Sequence, residues 1–121
     1  MKFCWVTIHV KDMEKSLHFY QEIVGLEINK RFKPDNNGEI VFLGGGETKV
    51  ELIYDAQKNS ITIGEDISLG FEVDSLKKIK EVLKRNNISI HSGPFQPNPS
   101  IKFLFVLDPN GVKIQFVENM K

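Results

Sequence analysis

The strongest constraint on this chain is that it is written twice. Lys49-Val50-Glu51-Leu52-Ile53-Tyr54 returns 64 residues later as Lys113-Ile114-Gln115-Phe116-Val117-Glu118. Val10-Lys11-Asp12-Met13-Glu14-Lys15 returns 63 residues later as Val73-Asp74-Ser75-Leu76-Lys77-Lys78. Two nearly equal offsets in one order point to duplication of a unit half the chain long. A duplicated sheet has paired positions, and comparing the pairs shows where chemistry is kept and where it is lost.

Each copy shows the same order of elements. Residues 3–10 are rich in β-branched and aromatic types and predict a strand. Asp12 is a suitable helix N-cap, and Met13, Leu17, Phe19, Tyr20 and Ile23 follow at helical spacing up to Gly25. Strands are predicted over 26–32, 40–43 and 50–54, with a polar turn at 33–38 and a hairpin turn at Gly44-Gly45-Gly46. That glycine run lacks a following helix, so it is not a phosphate loop. The second copy predicts a strand over 67–73, a helix from Asp74 or Ser75 to about Asn86, and a short strand over 88–91. Residues 92–100 hold Gly93, Pro94, Pro97 and Pro99 and predict a rigid surface loop. Strands over 101–107 and 112–118 flank the turn Asp108-Pro109-Asn110-Gly111. The fold class is α+β: two tandem βαβββ modules, about 1–55 and 66–121, joined by a connector over 56–65, in one domain. Helices cover one face of each sheet, and the other faces are expected to curve around a partly polar cleft that a second chain can complete.

The length of 121 residues suits a single domain that buries roughly two-thirds of its unfolded surface without disulfides. Sixteen basic and sixteen acidic residues cancel, with no basic block, which argues against nucleic acid or an anionic membrane as partner. The lone cysteine, Cys4, excludes an internal disulfide and fits a reducing compartment. No segment reads as a signal peptide or membrane span, so a cytoplasmic location is expected. By strand alternation Cys4 faces the helix side as a small buried thiol. His18 and His91 are expected to be solvated or structural.

Three stretches together resemble the vicinal oxygen chelate superfamily, which includes glyoxalase I, extradiol dioxygenases and bleomycin-resistance proteins. They are Val10 to Ser16 with Phe19-Tyr20 and Gly25-Leu26, then Gly70-Phe71-Glu72-Val73-Asp74, then Asp108 to Ile114. The resemblance implies the paired-module fold, but the fold hosts several chemistries. In metal-dependent members His or Glu at inward positions of four strands hold a divalent ion. Carried over residue by residue, those positions are Trp5, Glu51, Ser68 and Gln115, and the repeat pairs Trp5 with Ser68 and Glu51 with Gln115. An indole cannot ligate, and neutral Ser and Gln oxygens are poor replacements for imidazole and carboxylate. The expectation is no metal and no cofactor. His9 lies on the same strand face as Trp5 but about 13 Å along, too far to share a ligand shell. In glutathione-dependent glyoxalases the position of His9 is an Arg that grips a glutathione carboxylate, so its absence argues against glutathione.

By strand parity the inward set includes Trp5, Thr7, His9, Glu51, Ser68, Glu72 and Gln115, with Ile53 and Gly70. This lining suits a planar or extended small molecule. Trp5 has two readings, a filler of the space a metal site would take or a stacking platform for an aromatic ligand. Glu51 also has two, a carboxylate hydrogen-bonded to its neighbours or a general base. Parity leaves the placement of Phe42, Phe103 and Phe105 open. The resemblance implies a metal-independent, small-molecule-binding homodimer like the bleomycin-resistance branch. The alternative is a glyoxalase I-like lyase or isomerase with a degenerate metal site and Glu51 as catalytic base.

Overall fold

Alternation in the opening strand is strict from Trp5 onward: Ile8 and Val10 are buried, whereas Trp5 and Thr7 are exposed. A computed structural model describes residues 1–120 and shows why. Strand β1 (Trp5–His9) is followed by helix α1 (Met13–His18), then strands β2 (Ile28–Phe32), β3 (Gly38–Leu43) and β4 (Lys49–Asp55). Strand β5 (Ser68–Val73), helix α2 (Leu76–Arg85) and strands β6 (Ser92–Asn98), β7 (Ile101–Leu107) and β8 (Lys113–Asn119) repeat that order. The chain divides into two compact units, Met1–Thr62 and the remainder from Ile63. Each unit is one mixed four-stranded sheet, in the order β1-β4-β3-β2 in the first and β5-β8-β7-β6 in the second.

The first and last strands of each unit are parallel neighbours, and their register is the same. Trp5 lies opposite Lys49 and Thr7 opposite Glu51. At the repeat-equivalent positions Ser68 lies opposite Lys113 and Gly70 opposite Gln115. Parallel neighbours need a long crossover connection. Here the helix and the antiparallel pair β2–β3, or β6–β7, supply it.

Helix α1 packs on β4 and α2 on β8. Between helix and sheet lies each unit's core: Leu17, Tyr20, Val41, Leu43 and Leu52 in the first, Leu76, Leu83, Leu104, Ile114 and Phe116 in the second. Both helices start on side-chain caps. Asp12 accepts from the Lys15 N–H at 3.1 Å and Ser75 from the Lys78 N–H at 3.2 Å. In the second unit the Glu118 carboxylate also accepts the Leu76 N–H at 2.7 Å, tying the positive end of α2 to β8.

Four sequence expectations change. The first helix is α-helical only to His18, and Phe19–Ile23 forms a wider π-helical turn. The wider turn lets the consecutive rings of Phe19 and Tyr20 both point inward, edge to face at 5.1 Å. Gly25, at φ +87°, then ends the segment, and the Leu26 N–H reaches back to the Tyr20 carbonyl at 2.9 Å. The predicted strand over 88–91 does not form, and the predicted loop over 92–100 is mostly strand β6. Two prolines, Pro94 and Pro97, hid it. It tolerates them because it is an edge strand whose partnered residues are Ser92, Phe95 and Asn98, none of them proline. Finally, Cys4 is exposed rather than buried. It precedes the regular strand, so alternation does not yet fix its side chain, although its carbonyl accepts the Lys49 N–H at 3.0 Å.

Leu52 and Phe116 are repeat-equivalent and fully buried in their units. Leu52→Ala should cost about 2–5 kcal/mol and Phe116→Ala about 3–5 kcal/mol, because partial relaxation leaves a cavity. Urea unfolding followed by far-ultraviolet dichroism measures both. A loss below about 1 kcal/mol at either would mean that the helix does not pack there as described.

Candidate functional site

The helix takes one face of each sheet, and the residues of interest stand on the other. In the first unit the open face carries Trp5, Thr7 and His9 from β1, Lys49, Glu51 and Ile53 from β4, Ile40 and Phe42 from β3, and Lys30 and Phe32 from β2. The pairing that parity left open is settled: Phe42 lies opposite Glu51. The Trp5 and Phe42 rings meet edge to face, 5.2 Å between centroids and 71° between planes.

Glu51 sits in a strand paired on both sides and is 9% exposed. A carboxylate in that place needs donors. Thr7, directly across the parallel ladder, supplies one: its hydroxyl donates to Glu51 Oε1 at 2.5 Å. His9, next along the same face, is half-buried, and its Nδ1 is buried without a hydrogen-bond partner. It lines a hollow of about 200 Å³ with Lys11, Tyr54, Asp55 and Lys58.

Trp5 is 48% exposed. It borders a hollow of about 380 Å³ shared with Lys2, Cys4, Lys30, Phe42 and Lys49. A larger hollow of about 560 Å³ lies where α1 begins and β2 turns into β3, and none of the sequence-predicted site residues lines it. There Arg31 bridges Glu39 at 2.6 Å and Glu14 at 3.2 Å. The Glu39 hydrogen bond is the main reason its guanidinium is held above its usual range.

The second unit's open face follows the same plan with different chemistry. Ser68, Gly70 and Glu72 of β5 are exposed, and Gln115 of β8 is half-buried. Gln115 lies against Gly70: a Cβ built at Gly70 would stand 3.3 Å from Gln115 Oε1. The carboxamide therefore uses space that a side chain at Gly70 would crowd. Gly70 and Glu72 also line a hollow of about 510 Å³ with Asn98, Ser100 and Asn119. On β7, Phe105 lies opposite Gln115 and Phe103 opposite Val117. With Phe95 they form a ring cluster at 5.6–6.4 Å. Lys113 places its ammonium 6.0 Å from the Phe105 ring centre.

Within the first unit, Thr7 and Glu51 are thus brought into direct contact, with Trp5 on the same face. The sequence reading missed the lysines of these faces, Lys30 and Lys49 in the first unit and Lys113 in the second. The signal was available, since Lys49 and Lys113 stand two residues before Glu51 and Gln115 and share their side of the strand.

A resident metal fits these residues poorly. Of the four positions that metal-dependent members use, only Glu51 offers a hard anionic donor, and Thr7 already engages one of its oxygens. Among the described residues no group of three or more His, Cys, Asp or Glu is arranged to hold an ion.

No helix among the described residues is long and apolar enough to cross a membrane. A lactoylglutathione lyase of Neisseria meningitidis is 29% identical over 126 residues, spanning 98% of this chain and 91% of that protein. The fold is similar to glyoxalase I of Leishmania major, with a TM-score of 0.82 at 23% identity over 98% of this chain and 86% of that one. It is also similar to an antibiotic-binding protein from Streptomyces, with a TM-score of 0.74 at 21% identity over 98% of this chain and 96% of that one. The family model for the Glyoxalase/Bleomycin resistance protein/Dioxygenase superfamily matches residues 2–116, and the chain belongs to that superfamily.

Proposed function

We propose that this chain is a metal-independent small-molecule-binding member of its superfamily, similar to the bleomycin-resistance branch. Its ligand is held on the open sheet face at Trp5 and Glu51. One observation carries the reading. At a position where metal-dependent members hold an ion, this chain presents a half-exposed indole, steadied by Phe42 beside a hollow of about 380 Å³. An indole supplies a flat apolar surface and one N–H donor but no lone pair for a metal. Thr7, His9, Ser68, Glu72 and Gln115 supply the polar groups of the two open faces. The similarity to a Streptomyces antibiotic-binding protein supports the fold that this reading requires.

A second reading has its own support. Curated relatives over nearly the whole chain are lactoylglutathione lyases, and Glu51 keeps a carboxylate where the superfamily's enzymes use one. On that reading Glu51 is the general base of a lyase or isomerase.

The working form proposed is a cytoplasmic homodimer. Both units carry large side chains on their open faces that are only partly covered, Trp5 in the first and Phe95, at 44% exposure, in the second. Light scattering coupled to gel filtration should give twice the chain mass of 13.9 kDa. A monomer at micromolar concentration would reject the dimer.

Metal analysis of untagged protein, after exposure to Ni, Zn, Mn and Mg, should find far less than one ion per chain. About one ion per chain, lost on Glu51→Ala, would overturn the first reading in favour of the second. The Thr7–Glu51 contact gives an independent check. Thr7→Val should cost about 1–3 kcal/mol in urea unfolding, because Glu51 then loses its donor in a buried place. Glu51→Gln keeps an acceptor for the Thr7 hydroxyl and should cost less than Thr7→Val. A greater loss on Glu51→Gln would show that the charge itself is held by partners other than Thr7.

A further inference from the structure

We infer that the ligand of the Trp5 hollow is a planar aromatic or heteroaromatic anion, its ring against Trp5 and Phe42 and its acidic group at the Lys30 and Lys49 ammoniums. The inference rests on the proposal that the hollow is a ligand site, and adds the ligand's charge and shape. The hollow is lined by Lys2, Lys30 and Lys49 against one carboxylate, Glu47, so its side chains sum to a positive charge in a chain of zero net charge. Two of those cations are held in place. Lys49 Nζ donates to the Gly46 carbonyl at 3.1 Å, which uses one of its three donors and leaves two. The Lys30 ammonium stands 5.2 Å from the centre of the Phe32 ring.

The rings beside these cations are equally defined. Lys30 lies opposite Phe42 in the β2–β3 ladder, and Trp5 lies opposite Lys49 in the β1–β4 ladder. Each ring therefore has an ammonium on the neighbouring strand. A ligand with a flat apolar body and an anionic end satisfies both features together. A cationic ligand would meet Lys2, Lys30 and Lys49, while the buried carboxylate of the face, Glu51, is already engaged by Thr7. The second unit supports the contrast. It keeps the lysine and the Phe at equivalent places, Lys113 and Phe105, but has Ser68 where the first has Trp5, and its lysine lies over its own Phe ring. The ring platform is specific to the first unit.

Three isosteric probes test this: 2-naphthoate, neutral 2-naphthamide and cationic 2-naphthylmethylamine. Each is titrated into the full chain at low ionic strength by calorimetry, with the Trp5 indole N–H followed by NMR. Trp5 is the only tryptophan, so the signal is unambiguous. The naphthoate should bind about tenfold more tightly than the amide, since two exposed cations each contribute a small increment. That advantage should shrink with added salt. The double variant Lys30→Gln/Lys49→Gln should bring the naphthoate down to the amide's affinity and leave the amide unchanged. Equal binding of naphthoate and amide, or tighter binding of the amine, overturns the anion and leaves the binding-site proposal standing. Failure of all three to bind overturns both. Binding that leaves the Trp5 signal unmoved, or a naphthoate preference that survives the double lysine variant, also overturns the inference, because the recognition would then lie elsewhere.

Discussion

The open face of each unit depends on the parallel pairing of its first strand with its last. β1 on β4 in that register sets Thr7 across from Glu51 and Trp5 across from Lys49. With period-two alternation, a slip of one residue would exchange the open face for the helix face and put Glu51 under α1. The apolar alternates Ile8, Val50 and Leu52, all buried, hold the register. The core beneath the helix thus fixes which polar groups meet on the opposite side. Glu51 is tolerable inside a three-strand neighbourhood only because that register delivers a hydroxyl to it.

The duplication works as an internal control on this argument. The pairing of first with last strand is the same in both units, so differences between equivalent positions on those strands are differences of chemistry. Where the first unit has Thr7 donating to a carboxylate, the second has Gly70 beneath a carboxamide. Charge and donor are absent together. A carboxylate at Gln115 would lack the facing hydroxyl that Glu51 has, and a threonine at Gly70 would crowd the Gln115 oxygen. The same holds for aromatic residues. The first unit pairs Phe42 of β3 with Trp5 of β1 across β4, whereas the second turns Phe95, Phe103 and Phe105 toward one another. One face keeps its ring beside a hollow, and the other spends its rings on mutual packing.

Most of the fold was legible because it rests on local signals that agree. Asp12 and Ser75 are good caps, the apolar stripe of the first helix matches its buried residues, and the repeat offset predicts equal registers in the two sheets. The failures share a physical origin, since in each a tertiary demand overrode a local rule. The prolines of 92–98 read as loop, but an edge strand with a sparse ladder accommodates them. Phe19 and Tyr20 read as ordinary helix, but burying adjacent rings widened the turn. Cys4 was assigned by an alternation that begins one residue later. At the site, Trp5, Thr7 and His9 in the first unit and Ser68, Glu72 and Gln115 in the second stand on the face of their sheet away from the helix. Parity gave no account of Thr7 as the donor to Glu51, because that contact needs the register of a parallel partner 44 residues away. The lysines were legible in principle and were passed over because lysine on a strand is ordinarily solvated surface.

The two functional readings separate on what one carboxylate can do in its surroundings. Thr7 donates to Oε1 of Glu51, which orients the group and leaves further lone pairs, those of Oε2 among them, as acceptors. A general base needs an oxygen within hydrogen-bond reach of the proton it removes, together with something that stabilises the negative charge then formed on the substrate. Metal-dependent members meet the second need with the ion. Here the cations on the same face are Lys30 and Lys49, and they stand with the rings of Trp5 and Phe42 at the hollow. A ligand with its anionic end at those lysines arrives already charged, and the lysines stabilise it before any proton moves. Stabilisation of that kind lowers bound ligand and transition state together and gives affinity rather than rate. On the proposed reading the chemistry of this face is that of holding a molecule, with Glu51 as the carboxylate that Thr7 fixes in the centre of the sheet.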